Sequence, residues 1–139
     1  MSKNSIRIRI MYEKEDTQMF KALISHPMES GYRRDIRTGT QIEADFIESL
    51  LVSIDNAPCY KLRMGENISK NPFIAFRLTQ IVSDGQMLTI SWKDNNLHQT
   101  RYDCIIQFDS QQRFNFNSEQ HQTPVKQLTL EQIPACRKR

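Results

Sequence analysis

At 139 residues, with 38% hydrophobic and 25% charged side chains, the chain can bury roughly two-thirds of its unfolded surface in one core and is too short for two ordinary domains. This composition excludes the disordered class. A net charge of +3, with lysines and arginines dispersed among sixteen acids, leaves a mild bias toward acidic partners and no basic stripe to follow a phosphate backbone, so nucleic acid is not an expected partner.

Taken in chain order, Ile6, Ile8 and Ile10 alternate with Arg7, Arg9 and Met11, the period of two of a strand with one face on the core and one in water. Residues 13–16 break that pattern as a charged turn. Phe20, Ala22 and Ile24 predict a second strand, which Pro27 stops by removing a ladder donor and holding His26 extended. Residues 30–44 are polar, with Gly31 and Gly39, and read as a long loop or short irregular hairpin. Residues 46–55 place Phe46, Leu50, Val52 and Ile54 on one side of a strand, and residues 59–64 return antiparallel across the turn Asp55-Asn56-Ala57-Pro58. After a loop over 65–72, Ile74, Phe76 and Leu78 mark the next strand. Asp84-Gly85 turns the chain into Leu88, Ile90 and Trp92, and Asp94-Asn95-Asn96 turns it again into a strand over 101–108.

About seven short strands with turns between them predict an all-β fold, an antiparallel sandwich of immunoglobulin-like type. The strands that carry the inter-sheet disulfide of antibody domains have no cysteine here, so packing alone must hold the two sheets. Residues 1–108 form the expected domain and 109–139 a glutamine-rich extension. Within it, residues 113–117 alternate and could pair back across Asp109-Ser110-Gln111-Gln112 as an extra edge strand. Residues 129–133 read either as a turn of helix capped by Thr129 and Gln132 or as part of a disordered end beyond Asn117.

The N-terminal strand places Arg7 and Arg9 where a signal peptide needs its apolar region, and no segment is apolar enough to span a membrane. The residues taken alone therefore predict a cytoplasmic protein. Cys59, Cys104 and Cys136 include no Cys-x-x-Cys pair, so neither a zinc site nor a disulfide framework is specified. His98 and His121 have no ligand spacing to His26, and no metal or cofactor is expected. His26 lacks a motif that would bring a nucleophile within reach, which favours a structural ring bonded to its own turn. Cys59 and Cys104 fall within strands, where packing is the default. The Cys136 arm lacks the glycines that would give a carrier arm its reach, although Arg137, Lys138 and Arg139 would lower its thiol pKa. Trp92 continues the Leu88 and Ile90 alternation and is expected in the core or on a sheet face.

Three segments carry more than turn chemistry. The run Lys21-Ala22-Leu23-Ile24-Ser25-His26-Pro27-Met28-Glu29-Ser30-Gly31 is followed by Ser69-Lys70-Asn71-Pro72-Phe73 and then by Ser91-Trp92-Lys93-Asp94-Asn95. Together, over residues 6–108, they resemble the SoxZ family, the small subunit of the SoxYZ sulfur-carrier complex of bacterial thiosulfate oxidation. That resemblance implies a non-catalytic subunit, without cofactor, in a heterodimer with a SoxY-type chain whose terminal cysteine carries the sulfur substrate between other sulfur-oxidation enzymes. It also implies a periplasmic address reached by export alongside that partner. The segments that carry the resemblance have no chemistry of their own, so His26, Pro27, Met28 and Glu29, with Lys70, Asn71, Pro72 and Phe73, are the expected partner-binding residues. Met28 and Phe73 are the expected apolar anchors and Arg33, Arg34 and Lys70 the rim cations. The alternative of another class is a stand-alone thiol redox protein using Cys136 or Cys104, which needs an accessible cysteine of low pKa.

Overall fold

The computed structural model describes residues 4–120. Eight strands form two antiparallel sheets: β1 (Ser5–Lys14), β2 (Thr17–Ser25), β5 (Phe73–Arg77) and β8 (Arg113–Asn117) in the order β5-β2-β1-β8, and β3 (Ile47–Ile54), β4 (Ala57–Arg63), β6 (Met87–Asp94) and β7 (Gln99–Ile105) in the order β4-β3-β6-β7. A single 3₁₀ turn at Ser118–Gln120 follows. The first, second and fifth strands thus oppose the third, fourth, sixth and seventh, the division of strands between the layers of an immunoglobulin-like sandwich, with β8 added beside β1.

The alternation in the sequence becomes the core. Ile6, Ile8 and Ile10 face Phe20, Ala22 and Ile24 across the β1–β2 register, and both rows pack on Leu50, Val52, Leu88, Ile90 and Trp92 of the other sheet. Each such aliphatic side chain contributes about 2 kcal/mol through burial. Two aromatic series close the sides where the sheets would otherwise gape. Phe20, Phe76 and Tyr60 stack at 4.7 and 3.8 Å between ring centroids, joining β2 to β5 and β5 to β4. Trp92, Tyr102 and Phe116 follow one another at 6.0 and 6.1 Å, joining β6 and β7 to β8.

The hairpin from β3 to β4 turns at Asp55 and Asn56, both at positive φ (53° and 67°), the two-residue geometry whose twist matches the flanking strands. The polar stretch 30–44 is a loop with one bridge, Arg34 to Gln41.

Two expectations are corrected in detail. The register of β3 slips between Ile47 and Ser49, so Ile47 takes the buried position expected of Phe46, which is only partly covered. The extra edge strand over 113–117 exists as β8, but it pairs with β1 (Ile8 opposite Phe116, Ile10 opposite Phe114) instead of folding back on β7. The reason is burial: in that register Phe114 and Phe116 both enter the core, whereas a hairpin onto edge strand β7 would leave one face of them without a second sheet. The chain crosses between sheets at 106–112, where Ile106 N–H donates to the Gln86 carbonyl and the Asp109 carboxylate accepts from the N–H groups of Gln111 and Arg113. The turn of helix expected over 129–133 and Cys136 lie outside the described residues.

One buried polar contact has no counterpart in the sequence reading. Gln18 is fully buried in β2, and its side-chain amide donates to the Val82 carbonyl at 3.0 Å and accepts from Val82 N–H at 2.7 Å. It thereby ties the loop after β5 to the first sheet.

Candidate functional site

All three sequence segments meet at one end of the sandwich. β2 delivers His26 just past its last residue, and Pro27 turns the chain away. The His26 N–H donates to Asn71 Oδ1 at 2.9 Å, while the Asn71 N–H donates to the His26 carbonyl at 3.0 Å. Nearby, Ile24 N–H donates to the Pro72 carbonyl at 3.0 Å. Asn71 adopts φ of 54°, a conformation asparagine tolerates better than most residues, so its side chain and its backbone geometry are both used. These bonds splice the 65–72 loop onto the end of β2 and lead directly into β5.

The His26 ring is only 2% exposed. Its Nδ1 accepts from Met28 N–H at 3.0 Å, so the neutral ring carries its proton on Nε2, which lies 3.7 Å from Asp45 Oδ1. Burial lowers the pKa of His26 below its ordinary value, against the opposing pull of Asp45 and Asp94. His26 is therefore bonded to its own turn, as a structural histidine would be. Its ring nitrogens face the turn backbone and a carboxylate, an arrangement without the nucleophile that a catalytic base would serve.

Asp45 is held by its own bridge: Glu29 and Asp45 exchange N–H to carbonyl bonds at 2.8 and 2.9 Å. The third segment underpins this. Asn95 accepts from Phe46 N–H through Oδ1 at 2.8 Å and donates to the Ala44 carbonyl through Nδ2 at 3.2 Å, and Asp94 caps the following turn by accepting from the N–H groups of Asn96 and His98. Asp45 was not among the expected site residues, because a single acid ahead of an apolar run has no local signature.

Of the eight expected partner-binding residues, the structure brings His26, Pro27, Met28, Glu29, Lys70, Asn71, Pro72 and Phe73 to this one end but gives them different roles. Met28, at φ of 46°, turns its side chain into the core, where Sδ accepts from Ile47 N–H at 3.4 Å. Phe73, by contrast, is 62% exposed. Glu29 is gripped by Arg33 at 2.6 and 3.2 Å, which lowers its carboxyl pKa. Arg34 donates to the Gly39 carbonyl within the neighbouring loop. Between the two spliced loops lies an open depression of ≈ 520 Å³, lined by Pro27, Glu29, Ser30 and Arg33 on one side and by Glu66, Ile68, Ser69 and Lys70 on the other.

The thiols lie elsewhere. Cys104 is buried in β7, and partial burial in β4 raises the pKa of Cys59. Among the described residues no cluster of histidine, cysteine and carboxylate side chains has metal-ligand geometry, and no helix is long and apolar enough to cross a membrane. The site is thus a rigid, internally bonded end of a sandwich with an open depression and an exposed aromatic beside it.

No curated protein matches the chain. The family model for the sulphur oxidation protein SoxZ matches residues 6–104, a span that takes in β2 to β6, most of β1 and β7 and all three segments gathered at this end. The chain belongs to the SoxZ family of sulphur oxidation proteins.

Proposed function

We propose that the chain is the non-catalytic subunit of a SoxYZ-type heterodimer, which supports the cysteine-bound sulfur intermediate of its SoxY-type partner during thiosulfate or sulfur oxidation. The observation that carries this reading is the convergence of the three segments on one end of the sandwich. There several of the polar groups are bonded within the site: the His26 ring to its turn, Asn71 to His26, and Glu29 to Arg33. What remains open to a visitor is shape, in the depression between the loops, and the apolar surface of Phe73. Docking and positioning are the tasks such a site can perform. The partner's sulfur-bearing arm would pass this end on its way to the enzymes that act on it, and the periplasm, reached by export with the partner, is the compartment in which the pair would work.

The competing thiol-enzyme reading draws no support from Cys104, which is buried, or from Cys59, whose thiol pKa is raised by partial burial. Co-expression of the full chain with a SoxY-type protein is the test. The pair should co-elute as a heterodimer, and Phe73→Ser should weaken it while leaving the isolated chain folded. Elution of the wild-type chain alone at micromolar concentration would refute the reading.

A further inference from the structure

The outer face of the β5-β2-β1-β8 sheet is composed of three cross-strand rows, which the register defines residue by residue. Asn117, Arg7, Leu23 and Phe73 form the first, Asn115, Arg9, Lys21 and Ala75 the second, and Arg113, Met11, Met19 and Arg77 the third. Five of these side chains are cationic, five are apolar, and none is acidic. The outermost cations are matched from the edges, Arg77 by Glu13 at 3.1 Å and Arg113 by Asp109 at 3.9 Å. The central ones share these three rows with no carboxylate.

Arg9 and Lys21 stand directly opposite one another, and Arg7 lies diagonally across from Lys21. Like charges paired across strands weaken a sheet. Leu23 and Phe73, also opposite one another, are 41% and 62% exposed. A depression of ≈ 430 Å³ runs between Arg7, Arg9, Lys21, Leu23, Phe73 and Asn115. Arg9 donates to Asn115 Oδ1 at 3.1 Å within the face, a neutral acceptor that leaves the charge of the three central cations unbalanced in these rows, whereas an acidic partner relieves the repulsion and covers the apolar corner.

We infer that this sheet face is a second part of the docking surface for the partner chain, taking a carboxylate-bearing patch over Arg7, Arg9 and Lys21 and an apolar side chain against Leu23 and Phe73. The inference rests on the heterodimer reading above and extends it from the loops to the sheet. Continuity supports a single occupant: Phe73 immediately follows the Asn71-Pro72 splice and also ends the first row of the face. Size supports it as well. Four strands about 4.8 Å apart and five residues rising about 3.4 Å each give a face of roughly 300 Å². That is well under half of the about 800 Å² per partner that a stable interface needs, so the sheet and the loop end together make one interface where neither suffices alone.

The test uses the full chain and its co-expressed SoxY-type partner, with affinity and association rate measured from about 50 to about 500 mM salt. Arg9→Glu together with Arg7→Glu should weaken pairing by about tenfold or more, slow association and flatten its salt dependence. Because Arg9→Glu puts a carboxylate opposite Lys21, the same variant should melt no lower than wild type, which separates lost docking from lost folding. Lys61→Glu with Arg63→Glu on the opposite sheet should pair within about twofold of wild type. If wild type pairs and Arg7→Glu/Arg9→Glu pairs equally well at every salt concentration, this face is not the docking surface, although the heterodimer stands. If wild type does not pair at all, both readings fall together.

Discussion

Asn71 bonds the backbone of His26 twice, accepting its N–H on Oδ1 at 2.9 Å and donating its own N–H to the His26 carbonyl at 3.0 Å, across 45 residues of chain. This reciprocal pair splices two loops and brings the segments shared with the SoxZ family to one end of the fold. It also makes the site's rigidity open to measurement.

Asn71→Ala removes the acceptor for a backbone N–H beside a buried ring and places a residue with a Cβ but no local hydrogen bond at φ of 54°. Leaving such a donor without a partner costs about 2 kcal/mol. Asn71→Gly loses the same acceptor while keeping the conformational freedom, so it should cost less than alanine. Urea denaturation of both variants checks the order. Equal stability of Asn71→Ala and wild type would show that the splice is not held by this side chain.

His26 supplies the pH dependence. Burial depresses its folded pKa below the unfolded value, so the folded state binds fewer protons than the unfolded chain. Its contribution is therefore fully present above the unfolded pKa of about 6.5 and is lost as pH falls from there toward the folded pKa. Protonation also removes the Nδ1 acceptor that Met28 N–H uses. Denaturation midpoints should decline between about pH 7.5 and about pH 5.5, and His26→Gln should flatten that decline. A decline unchanged in His26→Gln would assign it to other groups.

Gln18→Leu keeps the volume of the buried side chain but strips Val82 of both its donor and its acceptor partner. A loss of about 2 to 4 kcal/mol is expected, with amide exchange accelerated first in the loop that carries Val82. Uniform acceleration across β2 and β1 instead would mean that Gln18 supports the sheet rather than the loop.

The thiols of the described residues should be slow. In native protein, Cys104 is expected to resist a disulfide-exchange reagent until the chain is unfolded, and Cys59 to react more slowly at neutral pH than a free cysteine does. Cys59→Ser should leave sulfur turnover by a reconstituted system unchanged. Rapid modification of Cys104 with the fold intact would revive the thiol-enzyme alternative.

The sequence by itself determined what depends on near neighbours. Alternation of Ile6, Ile8 and Ile10, or of Leu88, Ile90 and Trp92, declares a half-buried strand, because adjacent side chains must point to opposite faces and only one face meets the core. Asp55-Asn56 and Pro27 announce turns because backbone conformation there is decided within a residue or two. The resemblance to the SoxZ family was legible in three short segments, and the match over residues 6–104 agrees with it. What only the tertiary structure decided was which distant groups share a surface. β8 joins β1 because Phe114 and Phe116 gain a second sheet there, a gain invisible in the local pattern of residues 113–117. Met28, at positive φ, packs with the core and also lines the depression between the loops, a placement that the residues around it in sequence do not reveal. His26 meets Asp45, Gln18 meets Val82, and Arg9 meets Lys21 only once strand register is set. Register is the joint outcome of the whole core, and no single segment encodes it.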